Sequence, residues 1–215
     1  MYHYQATSFD EPSKKDLKHD YLWRYAQALP AAGQIGIFNR SYYEQVTSER
    51  IHPDKLAEWK LTATDRSDRL WPRRYQEINN FETYLNSNGI TLLKCFLHMS
   101  KNKQAERLLE RTQLTEKKWK FSLTDLEDRR LWARYSKVYE EVINRTSTKS
   151  APWYIIPANH RWFARAAVSS LVLATLKGLH SRYLPDNKQK KDLSKAQTQL
   201  KKELPPARHP RARSK

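Results

Sequence analysis

Glycine is scarce in this 215-residue chain, with four residues at 33, 36, 89 and 178. Neither Gly-x-Gly-x-x-Gly nor Gly-x-x-x-x-Gly-Lys can be drawn, so no glycine-rich loop after a strand offers backbone N–H groups to phosphates. Cysteine is scarcer still: Cys95 stands alone, which excludes an internal disulfide and points to a reducing compartment. One cysteine and scattered histidines give no zinc spacing, and no Gly-x-Ser-x-Gly elbow marks an acyl-transfer nucleophile. No secretory h-region is visible and no apolar run is long enough to span a bilayer, so a soluble, cytoplasmic protein is expected. Negative charge is short too: 23 Asp and Glu face 40 Lys and Arg, for a net charge of +17.

That balance points to a polyanionic partner: nucleic acid, nucleotide or an inorganic phosphate polymer. Residues 181–215 hold eleven basic and three acidic side chains. The remaining body is therefore basic even without its tail. Beyond Tyr183 the apolar content collapses, so 1–180 reads as one domain and 181–215 as a basic, disordered tail.

The chain is organised around Ile90–Phe121. Thr91–Leu97 is an apolar run that reads as a strand buried on both faces, as in a parallel sheet. Ser100 can cap a following helix, on which Gln104, Arg107, Leu108 and Arg111 recur at three- and four-residue spacing, giving it a cationic edge. Lys117, Lys118 and Lys120 surround Trp119 just beyond. Strand, turn, helix and cationic loop is how an α/β enzyme gathers positive charge at the carboxyl edge of its sheet; the plainer reading is a solvated helix with ordinary surface cations.

From the start, Tyr2–Phe9 reads as a short strand. Ser13-x-x-Asp16 is a capping box opening a helix with an apolar face from Leu17 to Leu29, stopped by Pro30. Ile35–Phe38 is a second buried strand, running into Asn39-Arg40-Ser41-Tyr42-Tyr43-Glu44. Polar groups that dense at a strand end favour chemistry over a plain turn. A short helix is expected at Asp54–Lys60 and a longer one from Pro72 to Gly89, with Tyr75, Ile78, Phe81 and Leu85 along one face. Ser122-x-x-Asp125 opens a long helix to Ile143, Trp153–Ile156 is a fourth strand, and Ala158–Leu179 is a closing helix. Alternating strands and helices predict a parallel, doubly wound α/β sheet.

These residues also carry a resemblance. Ile35–Glu44, Arg74-Tyr75 with Ile78–Glu82, Lys94–Lys101, Gln104-x-x-Arg107, Lys118–Asp125 and Pro152–His160 with Trp162 resemble, in serial order, the motifs of family-2 polyphosphate kinases. The likeness spans roughly residues 5–178 by these motifs. It implies a P-loop-kinase-like, three-layer α/β/α fold with a parallel sheet, similar to thymidylate kinase. It also implies transfer of a phosphoryl group between inorganic polyphosphate and a nucleoside mono- or diphosphate (ADP, GDP or AMP) with Mg2+. By position, Arg40 would contact phosphates. Asn39 stands where the family often has a magnesium-supporting aspartate, so metal support there would be weakened. Catalytic roles fall to Asn39, Arg40, Arg107 and Arg111. Ser41, Tyr43, Glu44, Arg74, Lys118 and Lys120 would bind substrate, the last two with Arg74, Arg107 and Arg111 in a lid and polyphosphate channel; Asp125 would cap a helix.

The family's glycine-rich loop should precede Tyr2–Phe9, and the chain begins too late to hold it. The resemblance thus implies a missing first strand and helix, the strand belonging mid-sheet between Ile35–Phe38 and Thr91–Leu97. Its loss would leave two facing rows of unpaired backbone groups, so association into a homo-oligomer is expected, with turnover impaired and nucleic acid not the main partner. Two other classes stay open: a non-catalytic module binding polyphosphate or nucleic acid, and an ATP-dependent nucleoside-monophosphate kinase.

Overall fold

The computed structural model describes residues 4–59, 69–179 and 187–203. Tyr2, His3, Lys60 with the connection after it, and the tail's remaining residues lie outside the described part. The chain divides into two units, Met1–Ser169 and Ser170–Lys215.

In the first unit, strand β1 (Tyr4–Ser8) pairs in parallel with β2 (Ile35–Asn39), in the register Tyr4↔Ile35 to Ser8↔Asn39. Strand β3 (Lys94–His98) pairs in parallel with β4 (Trp153–Pro157), from Lys94↔Trp153 to His98↔Pro157. Each parallel step needs a crossover, which the intervening helices supply. The fold is α/β with parallel strands, as the alternation predicts. The described strands nevertheless form two separate two-stranded sheets, β1–β2 and β3–β4, and no described strand lies between β2 and β3.

This has a visible consequence. The strand expected to be buried on both faces is not: Leu97 is 55% exposed, as is Ile37 of β2 at 49%. With a neighbour on one edge only, residues spaced for a covered sheet meet solvent.

Capping chemistry is visible at a few helix ends. Ser13 N donates to Asp16 Oδ2 at 2.8 Å while Asp16 N donates to Ser13 Oγ at 3.2 Å, the reciprocal box read from sequence. The helix it opens is broken, however, into a 3₁₀ turn at Asp16–Lys18 and α1 (Trp23–Gln27). Asp20 Oδ1 takes the Leu22 N–H at 2.7 Å, a side-chain turn that competes with helix continuation. Then come α2 (Ser48–Ile51), α3 (Pro53–Ala57) and α4 (Leu70–Ser87). At the end of α4, Gly89 adopts φ +83; its N–H meets Asn86 O and the Ile90 N–H meets Leu85 O, both at 3.0 Å, closing a Schellman turn.

After β3 come α5 (Lys101–Gln113), α6 (Thr124–Arg130) and α7 (Trp132–Thr146). The single helix expected from Ser122 is thus two, parted by a tight turn where Leu131 N bonds Asp128 O at 3.0 Å. Helix α8 (Arg161–Gly178) presents Trp162 at 70% and Leu173 at 53% exposure, so its expected apolar face is not packed away. In the second unit, α9 (Asn187–Glu203) replaces disorder with helix: Lys, Gln, Ala and Leu are strong helix formers that carry a segment without core packing.

The core of the first unit is aromatic: Phe9, Tyr25, Tyr42, Tyr43, Trp59 and Tyr75 cluster with Ile78 and Val142. Two buried charge pairs run through it. Lys94 Nζ donates to Glu82 Oε2 at 2.7 Å, to Thr146 O at 2.7 Å and to Tyr43 OH at 2.9 Å. Glu82 Oε1 accepts from the hydroxyls of Tyr42 and Tyr43, both at 2.7 Å. Arg74 Nη1 donates to Glu49 Oε2 at 3.0 Å and to Gln45 O at 2.6 Å, and Trp59 Nε1 donates to Glu49 Oε1 at 2.7 Å.

Truncating one member of a buried pair strands the other charge, at a cost of about 3–5 kcal/mol. Glu82→Ala and Lys94→Ala should each lose about that much in urea unfolding, and the double variant should lose clearly less than their sum. Strictly additive small losses would show the pair to be energetically idle.

Candidate active site

Strand β2 ends in a conformation rare for a side chain with a Cβ. Arg40 has φ +61, the only described residue other than glycine with positive φ. Left-handed backbone here costs energy and redirects the chain at the strand end. Ser41 then caps a 3₁₀ turn (Tyr42–Gln45), accepting the Tyr43 N–H at 3.4 Å. The ladder continues one step past β1, as Phe9 N bonds Asn39 O at 3.1 Å. Asn39 Nδ2 donates to Ser8 Oγ at 3.3 Å. Arg40 Nη1 lies 3.6 Å from Asp10 Oδ1 in an exposed pair. Arg24, from α1, donates to Asp10 O at 2.9 Å.

Together these elements border a cleft lined by Phe9, Arg24, Tyr25, Arg40, Glu44, Gln45 and Lys55, among others. Burial pushes the Glu44 carboxyl above the ordinary range, with Arg40 pulling it partly back. Glu49 is raised by burial in the same way, opposed by Arg74.

A second cluster stands at the ends of β3 and β4. Ser100 caps α5, its Oγ accepting the Lys103 N–H at 3.2 Å, as its position predicts. Asn159 Oδ1 accepts the Ser100 N–H at 2.9 Å. Arg107 Nη2 donates to Ala158 O at 2.7 Å and Asn159 O at 3.2 Å, tying α5 to the loop after β4. Arg111 pairs with Asp125 at 3.6 Å, and Asp125 Oδ2 also accepts the Ser122 N–H at 3.4 Å, in the capping role expected. Lys118 is exposed in a 3₁₀ segment (Thr115–Lys120); the Lys120 side chain lies outside the description.

Two of the residues expected to bind substrate are buried. Tyr43 is 6% exposed and held by Glu82, Lys94 and the Trp153 ring. Arg74 is 2% exposed and committed to Glu49 and the Gln45 carbonyl. Both are core residues: a motif's side chains alternate between the strand-end surface and the interior, and spacing alone does not say which. Asn39, Arg40, Ser41 and Glu44 do come together, whereas Arg107 and Arg111 form their own cluster on α5. Sequence reasoning passed over Arg24, Gln45, Glu49 and Arg129. Arg24 carried a signal, being the one cation in Tyr21–Ala26. Arg129, which donates to Lys101 O at 2.6 Å and Gln104 Oε1 at 3.1 Å, carried none.

An arginine-bearing strand end on a parallel α/β frame, with a second cationic cluster on the helix after β3, puts positive charge at the carboxyl ends of the strands, where such folds bind ligands. The model of the family Polyphosphate kinase 2 (PPK2) matches residues 2–183. The chain is 43% identical over 180 residues to the ADP-polyphosphate phosphotransferase of Rhodopseudomonas palustris, covering 83% of this chain and 62% of that protein. It is 45% identical over 179 residues to the AMP/ADP-polyphosphate phosphotransferase of Meiothermus ruber, covering 83% and 63%. The crystal structure of polyphosphate kinase 2 from Arthrobacter aurescens TC1 superposes with a TM-score of 0.79 at 36% identity, covering 94% of this chain and 66% of that one. The chain therefore belongs to the polyphosphate kinase 2 family, and spans a little over three-fifths of the length of these two curated relatives.

The backbone at position 40 separates strain from charge. Arg40→Gly should raise stability by roughly 1 kcal/mol by relieving positive φ, while Arg40→Ala should not. Both should weaken binding of short-chain polyphosphate by about tenfold, through loss of a charge-assisted contact. Equal destabilisation in chemical unfolding, or unchanged polyphosphate titrations, would contradict this.

Proposed function

We propose that this protein acts in the transfer of a phosphoryl group between inorganic polyphosphate and a nucleoside mono- or diphosphate. The observation that carries the reading is Arg40, held left-handed at the end of β2 inside the family's motif. Its ion pair with Asp10 is long and exposed, so a phosphate oxygen can replace the carboxylate at little cost. Arg40 would hold the transferring phosphoryl group, with Ser41 and Glu44 on the turn beside it. Arg107, Arg111, Lys118 and Lys120, from α5 and the segment after it, would form the cationic wall for the polyphosphate chain. The names of the relatives point to ADP and AMP as nucleotide partners.

Magnesium fits the residues in a limited way. Among the described residues no group of three or more His, Cys, Asp or Glu side chains could hold a metal. Asn39 turns its amide nitrogen to Ser8, leaving its oxygen for a cation or a bound water. A magnesium ion would thus be held largely by substrate phosphates and water, as is usual for this hard cation, and would neutralise phosphate charge. No helix of the described residues is long and apolar enough to cross a membrane; with the free Cys95, this supports a cytoplasmic setting. The open edges of β2 and β3 support association into a homo-oligomer.

These 215 residues hold no glycine-rich phosphate loop, so the proposed transfer is best tested against simple binding by the same stretch. Long-range attraction needs charge, whereas turnover needs aligned donors. Residues 1–215 should bind polyphosphate with steep salt dependence, make no use of ATP as donor, and turn over AMP or ADP slowly. Measuring binding and phosphorylation side by side with both donors checks this; a preference for ATP would move the protein to another kinase class. Near-family turnover from a stable monomer would instead exclude the binding-only reading.

Removing residues 184–215 should weaken binding of long polyanions and flatten its salt dependence, because counterion release scales with the number of contacting cations. An unchanged slope of log affinity against log salt would show the tail to be uninvolved.

A further inference from the structure

Arg107 and Arg111 carry the positive edge of α5, yet part of each is already committed. Arg107 Nη2 is held by the carbonyls of Ala158 and Asn159, and Arg111 lies 3.6 Å from Asp125. Gln104 stands one turn before Arg107 and two before Arg111, so it shares their face of the helix. Its side chain is held from one side only. Arg129, from α6, donates through Nη1 to Gln104 Oε1 at 3.1 Å and to Lys101 O at 2.6 Å. The Gln104 backbone is fixed as well, its N–H donating to Ser100 O at 3.0 Å.

A guanidinium only donates hydrogen bonds, so the atom of Gln104 that faces Arg129 must be the amide oxygen. The amide is planar, and its nitrogen therefore turns its two hydrogens away from Arg129. Gln104 is half-buried, and these hydrogens meet no acceptor among the described residues. Without Arg129 the amide could turn over about its last bond and present an acceptor instead. Asn159 repeats the logic after β4: its Oδ1 accepts the Ser100 N–H at 2.9 Å, so its exposed nitrogen also offers only hydrogens. The carboxylates of α5, Glu106 and Glu110, are paired with Lys103 and Arg161. Two amides, each able in principle to donate or accept, are thus both locked as donors beside Arg107. Such an edge suits the oxygens of a ligand.

We propose that Gln104 Nε2 is a neutral donor to the phosphoryl oxygens of the polyphosphate chain, and that Arg129 is the positioning residue that keeps it so. Arg129 acts through the amide: it holds the oxygen on its own side and leaves the N–H₂ to the chain, alongside Arg107. A neutral donor displaces no counterion, so its contribution persists at salt concentrations that weaken the cations. This rests on the reading of α5 as part of the wall for polyphosphate, and adds two residues to it with a role for each.

Calorimetric titration of the 215-residue chain with inorganic tripolyphosphate tests this. Gln113→Glu is the charge control, the same change on the same helix at its exposed end. Gln104→Glu keeps an acceptor for Arg129 but turns a second oxygen toward the ligand. It should unfold in urea no more easily than the wild type, yet bind tripolyphosphate about tenfold more weakly than Gln113→Glu. Arg129→Ala should weaken binding about fivefold, and this loss should nearly vanish on a Gln104→Ala background. Were Gln104 merely structural, the stable Gln104→Glu would bind as Gln113→Glu does, and that result would overturn the proposal. An Arg129→Ala loss of equal size with and without Gln104 would mean direct contact with phosphate and overturn the positioning role. If Arg129→Ala does not melt cooperatively, the comparison of Gln104→Glu with Gln113→Glu decides alone. Absence of tripolyphosphate binding in the wild type would overturn the polyphosphate reading and this inference together, whereas binding indifferent to Gln104 would overturn this inference alone.

Discussion

The buried ion pair between Lys94 and Glu82 is the constraint on which the first unit depends. Lys94 opens β3, Glu82 sits on α4, the two tyrosines that share Glu82 follow β2, and Thr146, whose carbonyl takes a third Lys94 hydrogen, ends α7. One ammonium and one carboxylate thus join elements from four parts of the sequence. Burial holds the Lys94 ammonium below the ordinary lysine range, with Glu82 opposing that effect. Such a pair adds little net stability over apolar packing, but it tolerates only one arrangement, because any other leaves a charge without partners. Its value here is register: it fixes where β3 starts relative to the turn that carries the motif after β2.

That register matters because the sheets do not supply it. β1–β2 and β3–β4 share no described hydrogen-bonded edge, so backbone pairing cannot hold β2 and β3 in relative position. The side-chain network does so from below, aided by the Tyr43–Trp153 ring contact at 4.6 Å. With the frame fixed there, the strand ends can carry strain and exposed charge. Ile37 and Leu97 show what remains unmet: apolar side chains spaced for cover, and backbone edges able to take another strand.

How far this was legible in the sequence differs by feature. Parallel strands alternating with helices, the Ser13–Asp16 and Ser100 caps and the Gly89 terminus follow from local chemistry and stand where local chemistry put them. Helix continuity failed where a competing side chain intervened, as with Asp20, and strand burial failed because it depends on neighbours a segment cannot encode. The motif after β2 announced itself by density of polar groups, but Tyr43 and Arg74 turned inward. Their roles were set by Glu82 and Glu49, tens of residues away.

Net charge and available charge are therefore different quantities in this protein. Among the cations near the strand ends, Lys94 and Arg74 are consumed in the core, Arg107 by the loop after β4, and Arg111 is shared with Asp125. The overall +17 draws polyanions from a distance that salt sets, within about a Debye length. On the proposed function, recognition would fall to cations whose partners are weak enough to be exchanged, and Arg40 is in that position, its side chain 55% exposed and its carboxylate partner 82% exposed. Arg40, on left-handed backbone, stays exposed, whereas Arg74 is buried against Glu49. A fold that buries one arginine to hold its frame and leaves another at the surface separates structural charge from available charge.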